Sequence, residues 1–261
     1  MKKVIVTALI VATVAMGLVG CGKKNTPANS NSDKKFSKKY VIATDATYAP
    51  FEYEKDGKYT GIDIDLLASV AKLEGFEYEL KPMDFKGIIP ALQANQIDGA
   101  IAGMGITDER KNVLDMSNGY FESGLSAVAK KDNDKIKSEA DFKGKIFAVK
   151  KGTLGAKFAE DNKDKLGITI KYFNDTPSMM LEVKNANADI TFEDYPVIAY
   201  MISVDPNSNL KIVGEKMLKQ DYGFAVKKGS NKELLDAFNN GIKKLKDNGE
   251  YDKIIGKYIK K

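Results

Sequence analysis

Histidine is absent from the 261 residues, cysteine occurs once, and only one of the 41 basic residues is an arginine. Without histidine there is no Ser-His or Cys-His nucleophile pair and no usual zinc set. Carboxylate chemistry and an oxygen-ligand metal site stay open, but no motif calls for a metal or a cofactor and none is expected. The single cysteine, Cys21, permits no disulfide within the chain. A basic stripe is lacking too. The positive charges scatter along expected helix faces and turns, so the net +5 reads as solvated surface and no nucleic-acid partner is expected. With 43% hydrophobic and 30% charged residues the chain can bury a core and stay soluble. Its length suits one large domain or two modest ones.

Met1-Lys2-Lys3 is a short basic start, and Val4 to Gly20 is apolar and uncharged. The run falls short of the roughly 20 apolar residues that span a bilayer, and it ends on small residues, as secretory signals do. Leu18-Val19-Gly20-Cys21 resembles the cleavage motif of bacterial lipoproteins, in which the cysteine is lipidated and becomes the first mature residue. Residues 1–20 are therefore expected to be a signal peptide, with the mature chain anchored through Cys21 on the extracytoplasmic face of the membrane. Residues 21–38 are polar, rich in Asn, Ser and Lys, and without apolar periodicity. As a flexible tether they would hold the domain roughly 20–25 Å from the lipid.

From Tyr40 onward short apolar runs alternate with helical patterns. Strands are expected at 40–44, 77–83, 99–104, 145–149, 169–173, 188–192 and 221–226. Helical stripes fall between them, among them 62–73, closed by Gly75, and 231–248, closed by Gly249. The alternation argues for an α/β fold with mostly parallel sheets. Gly119, Gly124 and Gly223 mark junctions between two lobes.

Arg110 is the sharpest residue. A chain that otherwise uses lysine keeps arginine where a planar fork is needed, and that fork grips a carboxylate with two parallel hydrogen bonds. Thr107 precedes it as a helix cap, and free N–H groups at a helix start favour anions. The plain alternative is a chance surface arginine. Asp45 and Tyr48 follow the first strand, where open α/β sheets bind ligands, although an aspartate there is often a turn residue. Phe85 offers an aromatic wall or, alone, a core residue. Lys150 to Gly155 is a strand–glycine–helix junction without the full phosphate-loop pattern. Its amides suit a carboxylate and Lys150 suits a carbonyl. Glu193 and Asp194 either bind an ammonium group or cap the helix that begins near Pro196.

These residues stand in segments that resemble the polar-amino-acid solute-binding proteins of ABC transporters, and within them the glutamine binders: ATDATYAPFEY (43–53), GIDIDLLASVAK (61–72), YELKPMDFKGIIPALQ (78–93), AGMGITDERK (102–111) and AVKKGT (148–153). The match runs from about Tyr40 to the C-terminus. It implies a two-lobed, periplasmic-binding-protein-like fold of type II, with a ligand cleft between the lobes and two hinge crossings. Lobe 1 would comprise 39–121 and 222–261, and lobe 2 122–221. Carried over by position, Arg110 takes the α-carboxylate, helped by backbone at Gly105, Thr153 and Leu154. Asp194 takes the α-ammonium with a carbonyl of Ala102 or Gly103. Tyr48 and Phe85 sandwich the aliphatic stem, and Asp45 and Lys150 read a side-chain amide. Tyr48 replaces a familiar phenylalanine, Gly105 a threonine and Glu193 a histidine. Glu193 suits a neutral amide or a cation, so arginine is the alternative to glutamine. A monomer that hands its ligand to a permease with its ATPase is expected. A dehydratase-like enzyme using Glu193 or Asp194 as general acid, and a sensor module, are the rivals from other classes.

The lipid anchor generates the first prediction. Cys21→Ser, produced in a bacterial host, is expected to leave the membrane fraction; retention there equal to the wild type would refute lipidation at Cys21.

Overall fold

In a computed structural model, which describes Phe36 and residues 38–259, the apolar runs form two five-stranded sheets and the amphipathic stretches cover them. The chain first lays down strands β1 (Lys39–Thr44), β2 (Thr47–Tyr48), β3 (Glu52–Lys55) and β4 (Lys58–Thr60), then helix α1 (Ile62–Glu74) and β5 (Glu77–Pro82). Next come α2 (Phe85–Gln93), β6 (Gly99–Ala100), α3 (Asp108–Lys111), β7 (Leu114–Met116) and β8 (Phe121–Lys130). The middle continues with β9 (Ile146–Lys150), α4 (Leu154–Leu166), β10 (Thr169–Phe173), α5 (Thr176–Lys184), β11 (Ile190–Asp194), α6 (Tyr195–Val204) and β12 (Leu210–Tyr222). It ends with β13 (Ala225–Lys227), α7 (Lys232–Asp247) and α8 (Glu250–Tyr258).

The first sheet has the order β5-β1-β6-β13-β7, with β5, β1 and β6 parallel and β13 and β7 antiparallel additions. The second has the order β10-β9-β11-β8-β12, parallel across β10, β9 and β11 and antiparallel at β8 and β12. A small β2-β3-β4 sheet stands beside them. Each large sheet is covered on both faces, which is why its inner strands read as unbroken apolar runs. Ile62, Leu66, Leu67 and Val70 of α1 pack with Leu234, Phe238 and Ile242 of α7 and Ile254 of α8 on one face of the first sheet. Ile88 and Leu92 of α2 fill the other. Ala156 and Ala159 of α4 meet Phe147, Val149 and Phe192, and α5 and α6 bring Met179, Met180, Val183 and Ile198 to the opposite face.

Four elements differ from the sequence reading. The strand expected at 221–226 is broken at Gly223 and Phe224 into the end of β12 and β13. The strand expected at 99–104 stops at Ala100, and the chain leaves the sheet so that Gly103 can take φ +51°. The stretch Leu210–Tyr222 forms a long strand that alternation did not signal. It is an edge strand, held to β8 by a ladder from Leu210↔Lys130 to Tyr222↔Phe121, and its middle is exposed. Its residues therefore need not be apolar. Phe36, assigned to the tether because its neighbours are polar, is buried edge-on against Tyr40 and Phe76, since an aromatic ring next to a core is better out of water. The signal peptide, Cys21 and the tether apart from Phe36 and Lys38 lie outside the described residues.

β8 and β12 run side by side as an antiparallel ribbon that begins at Tyr120 and ends at Tyr222, where Tyr120 N donates to Tyr222 O at 2.9 Å. Buried beside it is Asp63 of α1. Its Oδ2 accepts from Gly103 N at 2.8 Å and from Tyr120 Oη at 2.7 Å. Burial raises its pKa to about 6 against those two hydrogen bonds, while burial and the Asp63 charge hold the neighbouring Glu52 well above the usual carboxylate range. Removing Asp63 would strand two buried donors at about 1–3 kcal/mol each. Asp63→Ala is expected to lower stability by roughly 2–5 kcal/mol in urea unfolding at neutral pH. Asp63→Asn, which keeps an acceptor at the same point, is expected to lose much less.

Candidate functional site

One buried cavity of about 30 Å³ lies between the layers built on the two large sheets. From the first layer come Tyr48 of β2, Phe85 at the start of α2, Ala102, Gly103 and Gly105 of the loop after β6, and Arg110 of α3. From the second come Leu125 of β8, Lys150 at the end of β9, Thr153, Leu154 and Gly155 opening α4, Phe192, Glu193 and Asp194 of β11, and Gln220 of β12. Eleven of the twelve residues singled out from sequence line it. Asp45 does not. Both its oxygens are engaged: Oδ1 accepts from Thr47 N at 3.2 Å and Thr47 Oγ1 at 2.8 Å, and Oδ2 is ion-paired with Lys150. Its place is behind Lys150, because a buried ammonium needs a counter-charge within reach.

Local structure explains each position. Thr107 caps α3 by accepting from Arg110 N at 3.1 Å, which fixes the arginine one turn in. Arg110 then donates through Nη1 to Gly105 O at 2.7 Å and through Nη2 to Gly152 O at 3.1 Å, tying the two layers, with its guanidinium 5.4 Å from the Phe85 ring centre. Burial lowers its pKa, and the charges of Asp194 and Glu109 oppose that. Two of its five N–H donors are used, so donors remain for an anion. Thr153 caps α4 by accepting from Ala156 N and spends its own proton on Lys150 O at 2.8 Å. This leaves backbone as what Thr153 and Leu154 offer the cavity.

Asp194 stands at the N-cap position of α6 yet makes no capping hydrogen bond. Its Oδ2 accepts from Tyr222 Oη at 2.6 Å and Tyr48 Oη at 3.0 Å, and its Oδ1 from Gln220 Nε2 at 3.0 Å. The capping alternative for the Glu193–Asp194 pair is thereby lost at Asp194. Glu193 Oε1 lies 2.9 Å from Tyr48 Oη and accepts from Asp194 N at 2.9 Å, and its Oε2 is 3.2 Å from Thr176 Oγ1. Burial, then the Asp194 charge, raise the Glu193 pKa to about 7, and burial also raises that of Asp194. Lys150 Nζ sits 4.9 Å from the Tyr48 ring centre and 5.8 Å from that of Phe85. The aromatic pair thus flanks the cation.

Tyr222, Gln220 and Thr176 were missed. Thr176 reads as a helix cap, but Asp175 takes that role by accepting from Ser178 N at 2.8 Å, and the threonine hydroxyl is left to bridge Lys150 and Glu193 behind the cavity. Two capping residues in a row were the available signal. Gln220 lies in a polar run with no signal of its own. It explains Gly105: a Cβ there would come within 2.0 Å of Gln220 Oε1, so the amide fills the space a threonine side chain would take. That Oε1 is buried and has no hydrogen-bond partner among the described residues. At Gly103 a Cβ would press to 2.6 Å from the Tyr48 ring, and the positive φ disfavours one as well.

The model of the bacterial extracellular solute-binding proteins, family 3, matches residues 40–261, and the chain belongs to that family. It is 32% identical to the arginine-binding extracellular protein ArtP of Bacillus subtilis, over 96% of each chain. It is 34% identical to the ABC transporter glutamine-binding protein GlnH of the same organism, over 100% of this chain and 98% of the relative. A solved structure of an ancestral arginine-binding protein bound to glutamine superimposes with a TM-score of 0.80 at 40% identity, covering 87% of this chain and all of that one. The type II periplasmic-binding-protein fold expected from the sequence is the fold observed.

Glu193 makes the site a source of pH-dependent stability. Unfolded, it releases its proton near 4.5; folded, it holds it to about 7. Between those values the native state binds more protons than the unfolded chain, so stability falls as pH rises through the window. The full effect is roughly 3 kcal/mol. Glu193→Gln keeps the shape and removes the titration. Relative to the wild type it is expected to be close to neutral at pH 4 and stabilising by roughly 2–3 kcal/mol at pH 8, read from urea midpoints.

Proposed function

We propose that this family member is the binding component of an ABC importer for a polar amino acid, that the amino acid is glutamine, and that lipid on Cys21 holds the protein on the extracytoplasmic face of the membrane. The carrying observation is that a buried guanidinium, Arg110, and a buried carboxylate, Asp194, face one cavity from different layers. A zwitterion needs such a pair, a cation for its carboxylate and an anion for its ammonium. Arg110 takes the α-carboxylate, with backbone at Gly105, Thr153 and Leu154. Asp194 takes the ammonium, with Gln220 Oε1 and the carbonyls of Ala102 or Gly103 as further acceptors.

The side-chain end is read by Lys150 and Glu193. Lys150, braced by Asp45, donates to the amide oxygen, and Glu193 accepts from the amide NH2. Tyr48 and Phe85 cover the aliphatic stem. A side-chain carboxylate is disfavoured because it would meet Glu193.

Capture requires motion. A cavity of about 30 Å³ takes about two waters. Its walls are linked directly by Arg110 to Gly152, Tyr48 to Glu193 and Asp194, and Lys150 to Asp45. Two lobes, 39–121 with 222–261 and 122–221, would part about the β8–β12 ribbon. They would close when the ligand replaces those contacts with stronger ones of its own. The closed form is what the permease and its ATPase would accept. Arginine is the second reading: Glu193 adds an acid to the side-chain end, and ArtP is among the relatives.

Calorimetric titration of the full chain in detergent, refolded to strip carried ligand, checks the proposal. Glutamine is expected to bind with Kd of about 1 μM or tighter. Arg110→Ala is expected to weaken it at least about 100-fold, because a buried ionic hydrogen-bond partner is lost. Undiminished binding in that variant would refute the carboxylate clamp; no binding of any amino acid would refute the whole reading.

A further inference from the structure

Tyr48 has one phenolic proton and two carboxyl acceptors, Glu193 Oε1 at 2.9 Å and Asp194 Oδ2 at 3.0 Å. Asp194 Oδ2 already receives the Tyr222 proton at 2.6 Å. Both Tyr48 contacts are satisfied together only when one carboxyl brings a proton of its own. Asp194 has three donors and the nearby Arg110 charge to keep it ionised. Glu193 has no cation in contact: Lys150 is committed to Asp45 and reaches it only through Thr176, 3.5 Å from Lys150 Nζ and 3.2 Å from Glu193 Oε2. Glu193 is the carboxyl that carries the proton.

From this arrangement we infer that Glu193 exchanges its proton for the charge of the ligand's side chain, so that protonated Glu193 admits a neutral amide and ionised Glu193 a guanidinium or ammonium. The inference rests on the amino-acid reading above. It follows from counting charges in a closed, dry cleft. Arg110 and Asp194 balance the ligand's carboxylate and ammonium, and Lys150 and Asp45 balance each other. What remains is Glu193 and the side chain. A neutral side chain with a neutral Glu193, or a cationic side chain with an ionised one, leaves no unpaired buried charge. The two crossed combinations each leave one, at a cost of several kcal/mol per ion. The groups facing Glu193 allow this. Tyr48 comes from β2, Lys150 from β9 with Asp45 behind it, Thr176 from α5 and Ser126 from its register partner β8; beyond Asp194 lie Tyr222 and Gln220 of β12 and Arg110 of α3. Of these, Lys150 and Arg110 carry the positive charge, and both are matched without Glu193. Binding of arginine therefore releases the Glu193 proton to solvent, and binding of glutamine retains it, taking one up where Glu193 is ionised.

Titrating the refolded full chain with glutamine and with arginine from pH 6 to pH 8, in buffers of different protonation enthalpy, counts that proton. With Glu193 titrating near 7, arginine is expected to bind about tenfold more weakly at pH 6 than at pH 8, releasing about one proton at the lower pH. Glutamine affinity is expected to run the opposite way, falling about tenfold from pH 6 to pH 8, because an ionised Glu193 must first take up a proton to admit the neutral amide. Glu193→Gln is expected to weaken arginine at least about tenfold at pH 8 and to abolish the pH slopes of both ligands and the proton exchange. Arginine binding that is flat with pH and releases no proton, or that fails at pH 8 while glutamine binds, overturns this inference and leaves the amino-acid reading standing. Failure of both ligands at every pH overturns the two together.

Discussion

Buried charge is the constraint on which the cleft depends. Arg110, Lys150, Asp45, Asp194 and Glu193 are all at most 7% exposed, and no ion stays in a protein interior unless its charge is matched and its hydrogen bonds are made. The partners come from opposite layers. Lys150 of β9 meets Asp45 beyond β1, Asp194 of β11 meets Tyr48 of β2, and Arg110 of α3 meets Gly152 before α4. Each pairing makes one layer's polar groups depend on the other layer's position. Contacts of this kind hold when the layers are together and give way to water when they part. On the proposed reading the cleft is a two-state element, which a ligand that supplies better partners would bias.

The topology delivers these groups to one place. In both sheets the chemistry sits at the C-terminal ends of parallel strands or in the loops just beyond: Asp45 after β1, Gly103 after β6, Lys150 at the end of β9 and Asp194 at the end of β11. The antiparallel additions serve another purpose. β8 and β12 carry the chain from one layer to the other as a paired ribbon, so the connection is two hydrogen-bonded strands rather than one loose loop. β12 also contributes Gln220 and Tyr222, which grip Asp194 from the ribbon itself.

Much of this was legible in the residues. Alternating apolar runs and capped helices gave the α/β order, because inner strands covered on both faces must be apolar and helix ends need caps. Arg110 stood out by scarcity, and the lone arginine of a lysine-rich chain is buried, with its guanidinium bonded to two backbone carbonyls. The illegible parts have physical reasons. β12 is exposed at a sheet edge, so its residues carry no burial pattern. Asp45 was placed in the cavity because position after a strand says where a side chain is, not which neighbour will claim its oxygens. Thr176 and Gln220 act through side chains whose partners lie 17 and 26 residues away, Glu193 and Asp194 respectively. No local spacing reports such a contact.

Asp63 shows how far the coupling reaches. One of its oxygens holds both the Gly103 amide, in the loop that lines the cavity, and the Tyr120 hydroxyl, at the start of the ribbon. The Tyr120 backbone amide in turn bonds Tyr222 O, and the Tyr222 hydroxyl bonds Asp194. A chain of hydrogen bonds thus runs from the cavity loop through Tyr120 and Tyr222 to the Asp194 carboxylate. Each link is buried, so breaking one strands a polar group in the core. Asp194 is held from the ribbon by Tyr222 at 2.6 Å and by Gln220 at 3.0 Å. On the proposed reading, Asp194 is the point at which this network meets the ligand, whose ammonium group would take up whatever partner the carboxylate loses on opening.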